Sequence, residues 1–445
     1  PVAQAQLDAG QLAERYRLAG QAGAGWNRWT LYRDLVETAD PYDWAVPDGI
    51  IGRDRGQGLR SLLILQSQAE NIEAPIFLDG SGAGTDDPAR AARVNPEHVW
   101  ARFVDAAAAR YGRGGAVGGA AAWEVGNEPN IHPYWRDRPE DYARYLEVAY
   151  LVLKHRDPAA VVLHGSMADD VAAEDWFRRF LTAVKARAAD GPQPWAAGHF
   201  FDKTGWHWYR SPAHLQTGPA RARAMLSEAA IPDKAVWVTE TGVPVWNEHP
   251  GPCWDPASPG RATVVEQAGF VWQTLAEAYA SGVELVILFQ LVDDCGNGPK
   301  SYDAFGLVRN PSGEACWEAA AAACWRADPA VAGRPRPAYH AFSLAARLIA
   351  GARYLRQSPA AGRGWRSVVF QGEGRRSTVL WSTGTATQAS LPAGSARARL
   401  HRLTEGGVES VTVEAAAGAY AVPLPAVSNH NGMGGRPIMA GVPVI

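Results

Sequence analysis

The chain has 445 residues and a formal net charge of −3, length enough for a large domain plus a smaller one, because single cores stop growing at roughly 250–300 residues. Acidic and basic residues are balanced, with no electrostatic footprint for nucleic acid or an anionic membrane, and no apolar run reaches the roughly 18 charge-free residues of a membrane span. The 18 tryptophans are the compositional outlier; indole faces stack on sugar rings as readily as they fill cores, so they hint at a carbohydrate partner without proving one.

In chain order, Gln6–Gly20 predicts an amphipathic helix with Leu7, Leu12, Tyr16 and Leu18 near helical spacing and Gly20 as its stop. An aromatic-rich strand follows over Ala24–Arg33, and Leu59–Gln66 is a short buried strand. From there strands and helices alternate. Helix His98–Tyr111 precedes strand Ala121–Glu128, helix Glu140–His155 precedes strand Val161–Ser166, and helix Ala173–Ala189 precedes strand Gly205–Tyr209. Helix Ala220–Ala230, strand Ala235–Glu240, helix Val264–Ala280, strand Val283–Val292 and helix Pro337–Ala350 complete the series. Repeated βα units of this kind signal a parallel sheet. Seven strands, with a first helix that has no strand before it, predict an α/β fold. It is a (β/α)8 TIM barrel whose first strand is missing or lies upstream of Pro1. The rival, a doubly wound open sheet, usually carries a Gly-rich phosphate turn after an early strand, and none stands in that context here.

After Gly351 the texture changes to short alternating runs, 367–370, 378–381, 388–391, 398–403, 408–413 and 420–424, separated by Gly- and Ser-containing turns. That spacing predicts a C-terminal β-sandwich. The expected division is a catalytic barrel over residues 1–355 and a sandwich over 356–445, whose irregular tail from Val427 wraps or frays. A scaffold role for the sandwich is favoured over carbohydrate binding.

Functional groups of a βα barrel gather at the C-terminal ends of its strands. Those ends supply Arg28, Gln66, Asn127 with Glu128, His207 with Tyr209, Glu240, and Gln290 with Asp293. Two carboxylates on one rim, Glu128 and Glu240, are the equipment of a retaining glycosidase. One acid protonates the leaving oxygen while the other, ionised, attacks the anomeric carbon from about 5–5.5 Å away. Glu124 shares the strand face of Glu128 but lies deeper, as a paired interior carboxylate and a backup acid.

The segments WEVGNEPN (Trp123–Asn130) and WVTETG (Trp237–Gly242) together resemble clan A of the glycoside hydrolases, in which an Asn-Glu pair ends strand four and a Glu ends strand seven. With a β-sandwich after the barrel, the chain is most similar to family 39, which includes xylosidases, iduronidases and polysaccharide-cleaving relatives. The resemblance implies a retaining O-glycoside hydrolase acting on an oligo- or polysaccharide by double displacement, with no cofactor and no metal. It makes Glu128 the acid/base and Glu240 the nucleophile, and Asn127 the amide that binds the sugar 2-hydroxyl. Arg28 is expected to keep Glu240 ionised, and Tyr209, or alternatively His207, to hydrogen-bond and orient it. Trp246, Trp254, Trp135 and Tyr134 on rim loops suit sugar stacking, each being equally accounted for by loop packing. The aromatic that many clan members place on strand eight is not evident, and FQLVDD offers Gln290 and the pair Asp293–Asp294 instead. The alternatives are a catalytically idle carbohydrate-binding protein on the same barrel, an inverting hydrolase, or a transglycosidase.

Cys253, Cys295, Cys316 and Cys324 suit two disulfides, Cys253–Cys295 and Cys316–Cys324, in a secreted or cell-surface protein. Four free thiols in a cytoplasmic enzyme are the alternative. Cys316 and Cys324 have no His or Cys companion at zinc spacing.

Overall fold

The structure, a computed structural model, describes residues 9–38, 42–67, 71–132, 134–135, 138–170, 172–209, 211–232, 234–245, 262–293, 304–309, 331–358, 362–428 and 441–445. The four cysteines, Trp246, Trp254 and Asp294 lie outside these residues. Two compact units are distinguished, one comprising Pro1–Leu12, Gly25–His207 and Ala220–Thr239, the other Ala13–Ala24, Trp208–Pro219 and Glu240–Ile445. Among the described residues no helix is long and apolar enough to cross a membrane.

Helix α1 (Ala9–Ala22) opens the described chain, followed by β1 (Trp26–Tyr32), the one-turn α2 (Arg33–Val36), α3 (Ala45–Gly56) and β2 (Arg60–Gln66). Three two-residue strands, β3 (Phe77–Leu78), β4 (Gly84–Thr85) and β5 (Arg93–Val94), form a small antiparallel sheet in the order β4-β3-β5. The βα alternation continues through α4 (Val99–Tyr111), β6 (Ala120–Val125), α5 (Pro139–Arg156), β7 (Val162–His164), β8 (Met167–Ala168), α6 (Ala173–Asp190), β9 (Lys203–His207), α7 (His214–Glu228), β10 (Ala235–Thr241), α8 (Val264–Ala280) and β11 (Val283–Leu288). The main sheet is ordered β1-β2-β6-β7-β9-β10-β11, with β8 pairing β9 off that path. Seven strands following one another in chain order in a curled sheet, with helices between them, make a TIM-like barrel, as the sequence predicts. In β2, Leu62, Leu63, Ile64 and Leu65 are all buried, the continuous apolar run of a parallel strand covered on both faces. Trp100, Phe103, Val104, Ala107 and Tyr111 form the buried stripe of α4 at helical spacing. Its start is capped by the His98 ring, which accepts from the Ala101 N–H at 3.2 Å.

Helix α3 was not legible in the sequence. Its residues AVPDGIIGRDRG include two interior glycines and a proline, which are poor helix formers. Tertiary bonds hold it instead. The buried Asp54 carboxylate accepts from Asn27 Nδ2 of β1 at 2.9 Å and from Ser61 Oγ of β2 at 2.6 Å. The strand expected to run to Glu128 ends at Val125, where Gly126 adopts a φ of +79° and turns the chain.

In the second unit, α9 (Pro337–Leu348) precedes the antiparallel strands β12 (Arg353–Ser358), β13 (Trp365–Gly372), β14 (Arg375–Ser382), β15 (Thr387–Pro392), β16 (Arg397–Thr404), β17 (Gly407–Glu414) and β18 (Ala419–Leu424). They pair as β12-β13-β14, β15-β18 and β16-β17, the expected β-sandwich with one further strand, β12. Alternation divides the faces of β13 and β14. Val368, Phe370, Val379 and Trp381 pack with α8 and α9 in one apolar core. Trp365 and Leu380 belong to a second core with Leu400, Tyr420 and Val422. The end of the chain wraps onto this unit, Leu380 and Val444 exchanging backbone hydrogen bonds at 2.9 Å each way.

A buried ion pair ties α8 to β13. Arg366 donates twice to Glu277, Nε to Oε1 and Nη2 to Oε2, both at 2.6 Å, and Glu277 is 1% exposed. Burial raises the Glu277 carboxyl above its ordinary pKa despite the lowering by Arg366. Removing one partner of such a pair strands a buried charge. Arg366→Ala is therefore expected to cost about 3 kcal/mol in denaturant melts, and Arg366→Met with Glu277→Leu to recover most of that loss.

Candidate active site

In the first unit a hydrogen-bonded network is built from the C-terminal ends of the parallel strands. Arg28 of β1 and Glu124 of β6 form a bidentate pair, Nε to Oε2 at 2.6 Å and Nη2 to Oε1 at 2.9 Å, with both side chains buried. Glu124 Oε1 also accepts the Ser166 N–H at 2.9 Å. Burial by itself raises the Glu124 carboxyl; the charge and hydrogen bonds of Arg28, then His207 and Ser166, outweigh it and hold it below the ordinary carboxylate value. Glu124 is thus the paired interior carboxylate expected from strand alternation.

The same guanidinium positions Asn127, Nη2 donating to Oδ1 at 2.6 Å. Gln66, at the end of β2, accepts the Asn127 N–H at 3.0 Å through Oε1 and donates through Nε2 to the Tyr134 carbonyl at 3.3 Å. Gln66 therefore braces the turn that presents Glu128, a role the sequence reading did not assign. Glu128 itself has a φ of +41°, a left-handed conformation uncommon for a side-chain-bearing residue and one that clusters at functional sites. It is retained because its N–H donates to the Ser166 carbonyl at 3.0 Å, its carbonyl accepts the Ile131 N–H at 3.0 Å, and its carboxylate is held by His207. The Glu128 side chain remains 14% exposed, open to a ligand.

His207 is buried at the end of β9. Its Nδ1 lies 2.7 Å from Glu128 Oε1 and its Nε2 lies 3.1 Å from Thr239 Oγ1. The Thr239 hydroxyl donates to Ser166 Oγ at 2.5 Å. With its one proton spent there, Thr239 accepts from His207 Nε2–H. The chain Ser166–Thr239–His207 therefore fixes the ring so that Nδ1 and Glu128 share a single proton. Thr239 and Ser166 were not singled out from the sequence. The available signal was the polar run Thr239–Glu240–Thr241 ending an otherwise apolar strand.

Glu240, the residue after Thr239 on β10, belongs to the second unit. The Tyr209 hydroxyl donates to Glu240 Oε2. Thr241 Oγ1 donates to the Trp208 carbonyl at 2.6 Å, and Phe289 N–H to the Thr241 carbonyl at 2.8 Å. Tyr209, Phe289 and Phe305 form an edge-to-face cluster with centroids 5.6–6.1 Å apart. Phe289 directly follows β11. Gln290 is 2% exposed, and among the described residues its Nε2 has no hydrogen-bond partner. Asp293 is occupied differently from the expectation of sugar binding. Arg336 reaches both its oxygens at 2.9 and 2.7 Å, and Oδ1 also accepts the Gly306 N–H at 2.8 Å. It serves as a strut under residues 304–309. Trp135 is likewise packing: it is buried against Tyr142 and Tyr145 at 5.5 and 5.0 Å. Tyr134 is 36% exposed.

No family model matches the chain, and no curated protein matches it. Solved structures do. A family 39 glycoside hydrolase from the gut symbiont Bacteroides cellulosilyticus WH2 superposes with a TM-score of 0.62 at 17% identity, over 93% of this chain and 76% of that one. A GH39 beta-xylosidase from Caulobacter crescentus superposes at 0.55 and 15% identity, over 94% and 93%. A family 51 alpha-L-arabinofuranosidase from Bifidobacterium longum does so at 0.57 and 13%, over 95% and 89%. The chain has the fold of these clan A hydrolases.

Burial also sets the pH response of the first unit. His164 donates through Nδ1 to the Gly165 carbonyl at 2.7 Å and accepts from Thr204 Oγ1 at 2.8 Å. Burial lowers its pKa to about 4, and that of the buried His98 likewise to about 4. Unfolded histidine takes up its proton near ~6.5, so stability is full above that value and is lost as pH falls towards 4; for His164 this amounts to about 3 kcal/mol. Glu124, with a lowered pKa, adds a further loss below about 4.5. Urea midpoints are expected to fall across pH 6.5 to 4, and His164→Gln, which cannot titrate, to show about half of that upper fall.

Proposed function

We propose that this chain is a retaining O-glycoside hydrolase in which Glu128 is the acid/base and Glu240 the nucleophile. One observation carries the proposal: the segment His207–Trp208–Tyr209 supplies a hydrogen-bond partner to each glutamate, His207 to Glu128 and Tyr209 to Glu240. Each carboxylate stands at the C-terminal end of a barrel strand or in the turn after it, where barrel enzymes keep their chemistry. The fold likeness to proteins described as glycoside hydrolases supports the same class.

In the first step a Glu240 oxygen bonds to the anomeric carbon as the bond to the leaving oxygen breaks, and the proton shared by Glu128 and His207 goes to that oxygen. In the second, water attacks the anomeric carbon and gives its proton to Glu128, while the ester bond to Glu240 breaks and frees its carboxylate. Tyr209 donates to Glu240 and so orients it. Its hydrogen bond stabilises the anion and tempers its nucleophilicity. Asn127, held by Arg28, is the group for the sugar 2-hydroxyl, and Gln290 Nε2, which has no partner among the described residues, is a donor for a second hydroxyl. An idle binding protein is less well supported, since both carboxylates are present with their orienting partners. The sugar is one whose glycoside presents its 2-hydroxyl to Asn127; the neighbours' xylosides and arabinofuranosides are the first substrates to screen.

Glu240→Ala is expected to lower turnover of an aryl glycoside by a factor on the order of 10,000 or more. Added azide should then yield a glycosyl azide of inverted configuration, read by NMR. Wild-type-like turnover in that variant would remove Glu240 from the nucleophile role. Glu128→Ala should slow substrates with poor leaving groups far more than dinitrophenyl glycosides and flatten the basic limb of the pH profile. Thr239→Val removes the acceptor of His207 Nε2–H and should shift that limb with KM little changed.

A further inference from the structure

The residues from Gly351 to Ile445 contain ten arginines, no lysine, no aspartate and four glutamates. This segment therefore carries a formal charge of +6 in a chain whose net charge is −3. The arginines are not scattered. A cleft of about 970 Å³ within the second unit is lined by Arg356, Arg363, Arg375, Arg376, Arg397 and Arg399. The strand faces explain the grouping. On β13 and β14 the face opposite the helix-packed core carries Trp365, Ser367, Val369 and Gln371, with Arg376, Thr378 and Leu380 in register beside them. Arg356 of β12 pairs with Val369 in that register. Trp365, Ser367, Val369 and Leu380 are buried, and the arginines stand exposed around them.

Counter-charges are few. Arg397 pairs with Glu414, both about 70% exposed, a weak pair in water. Among the described residues no carboxylate pairs with Arg356, Arg363, Arg376 or Arg399. Arg363 lies over the Trp365 ring at 5.6 Å. Like charges held together without counter-ions repel, and a bound anion relieves that repulsion. The guanidinium fork matches planar carboxylate geometry in a way lysine does not. The hydroxyls of Ser358, Thr378, Ser390 and Ser395 share the lining, offering partners for a polyhydroxylated ligand. The volume exceeds what a single ion needs and lies at the upper end of the roughly 300–1,000 Å³ typical of ligand sites.

We infer that the arginine-lined cleft of the β-sandwich binds an acidic polysaccharide, one whose sugars carry carboxylate or sulfate groups at intervals along a neutral backbone. This site is separate from the glutamates of the barrel and does not rest on the catalytic proposal. In place of a scaffold role alone, the sandwich then holds an anionic polymer by electrostatics and sugar hydroxyl contacts.

Affinity electrophoresis and calorimetry of the full chain and of Glu128→Gln should be run in parallel, so that binding is read without turnover. The probes are polygalacturonate for carboxylate, dextran sulfate for sulfate, uncharged dextran, and double-stranded DNA. Retention by polygalacturonate or dextran sulfate but not dextran, weakening with salt, is expected, and the stronger of the two identifies the anionic group. Arg376→Glu with Arg399→Glu should weaken binding about ten-fold or more, whereas Arg353→Glu with Arg402→Glu, equal in charge but outside the cleft, should change it less than about two-fold. No retention by either acidic polymer, equal retention by dextran, equal loss in both double variants, or tighter binding of DNA than of either polysaccharide would each overturn the inference. Loss of aryl-glycoside turnover with binding intact, or the reverse, separates this result from that of the catalytic test.

Discussion

The buried pair of Arg28 and Glu124 is the constraint on which the first unit depends. Two ions in a barrel interior are costly to desolvate, and the cost is met only when every remaining lone pair and proton is used. Here Glu124 takes two bonds from Arg28 and one from the Ser166 N–H, and Arg28 turns a further N–H to Asn127. β1, β6 and the segment after β7 are joined at one point by charge-assisted bonds. The presentation of Asn127 and Glu128 is a consequence of that joint.

From the joint the order passes outward. Ser166 gives its N–H to Glu124 and its carbonyl to the Glu128 N–H, and its hydroxyl accepts from Thr239. One serine therefore connects the structural carboxylate, the strained turn and the histidine relay. The left-handed φ of Glu128 costs on the order of 1 kcal/mol or more and persists because these bonds over-determine it. In the second unit the Tyr209–Glu240 bond is set among Phe289 and Phe305, whose packing limits the rotamers open to the tyrosine. Rigid support of this kind costs no reorganisation when charge moves in a reaction.

The β-sandwich depends on a different device, the two-residue period of its strands. One face of β13 and β14 is apolar and lies against α8 and α9, and the Arg366–Glu277 pair joins β13 to α8 there. The other face turns to the arginine-lined cleft. A segment, Gly351–Ile445, that carries +6 within a chain of −3 is a charge separation that the composition total conceals.

Much of the barrel was legible in the sequence. The seven parallel strands coincide with seven apolar runs, and α8 with its predicted span, because strand and helix periods are local properties of side-chain order. The two glutamates were legible because a carboxylate at the end of an apolar strand is conspicuous in one dimension. Helix α3 was not, since it is held by Asp54 bonding Asn27 of β1 and Ser61 of β2, a contact that its poor helix formers do not announce. The packing of Trp135 and the engagement of Asp293 by Arg336 were also out of reach, for they depend on partners brought near by folding. The serine–threonine–histidine relay and the arginine cleft belong to the same class. By itself the sequence determined the βα order, the sandwich and the pair of carboxylates, because these follow from periodicity and residue type. Only the tertiary structure decided which carboxylate is neutralised by Arg28 and which is held by His207, because a side chain's role is set by the groups that surround it in space.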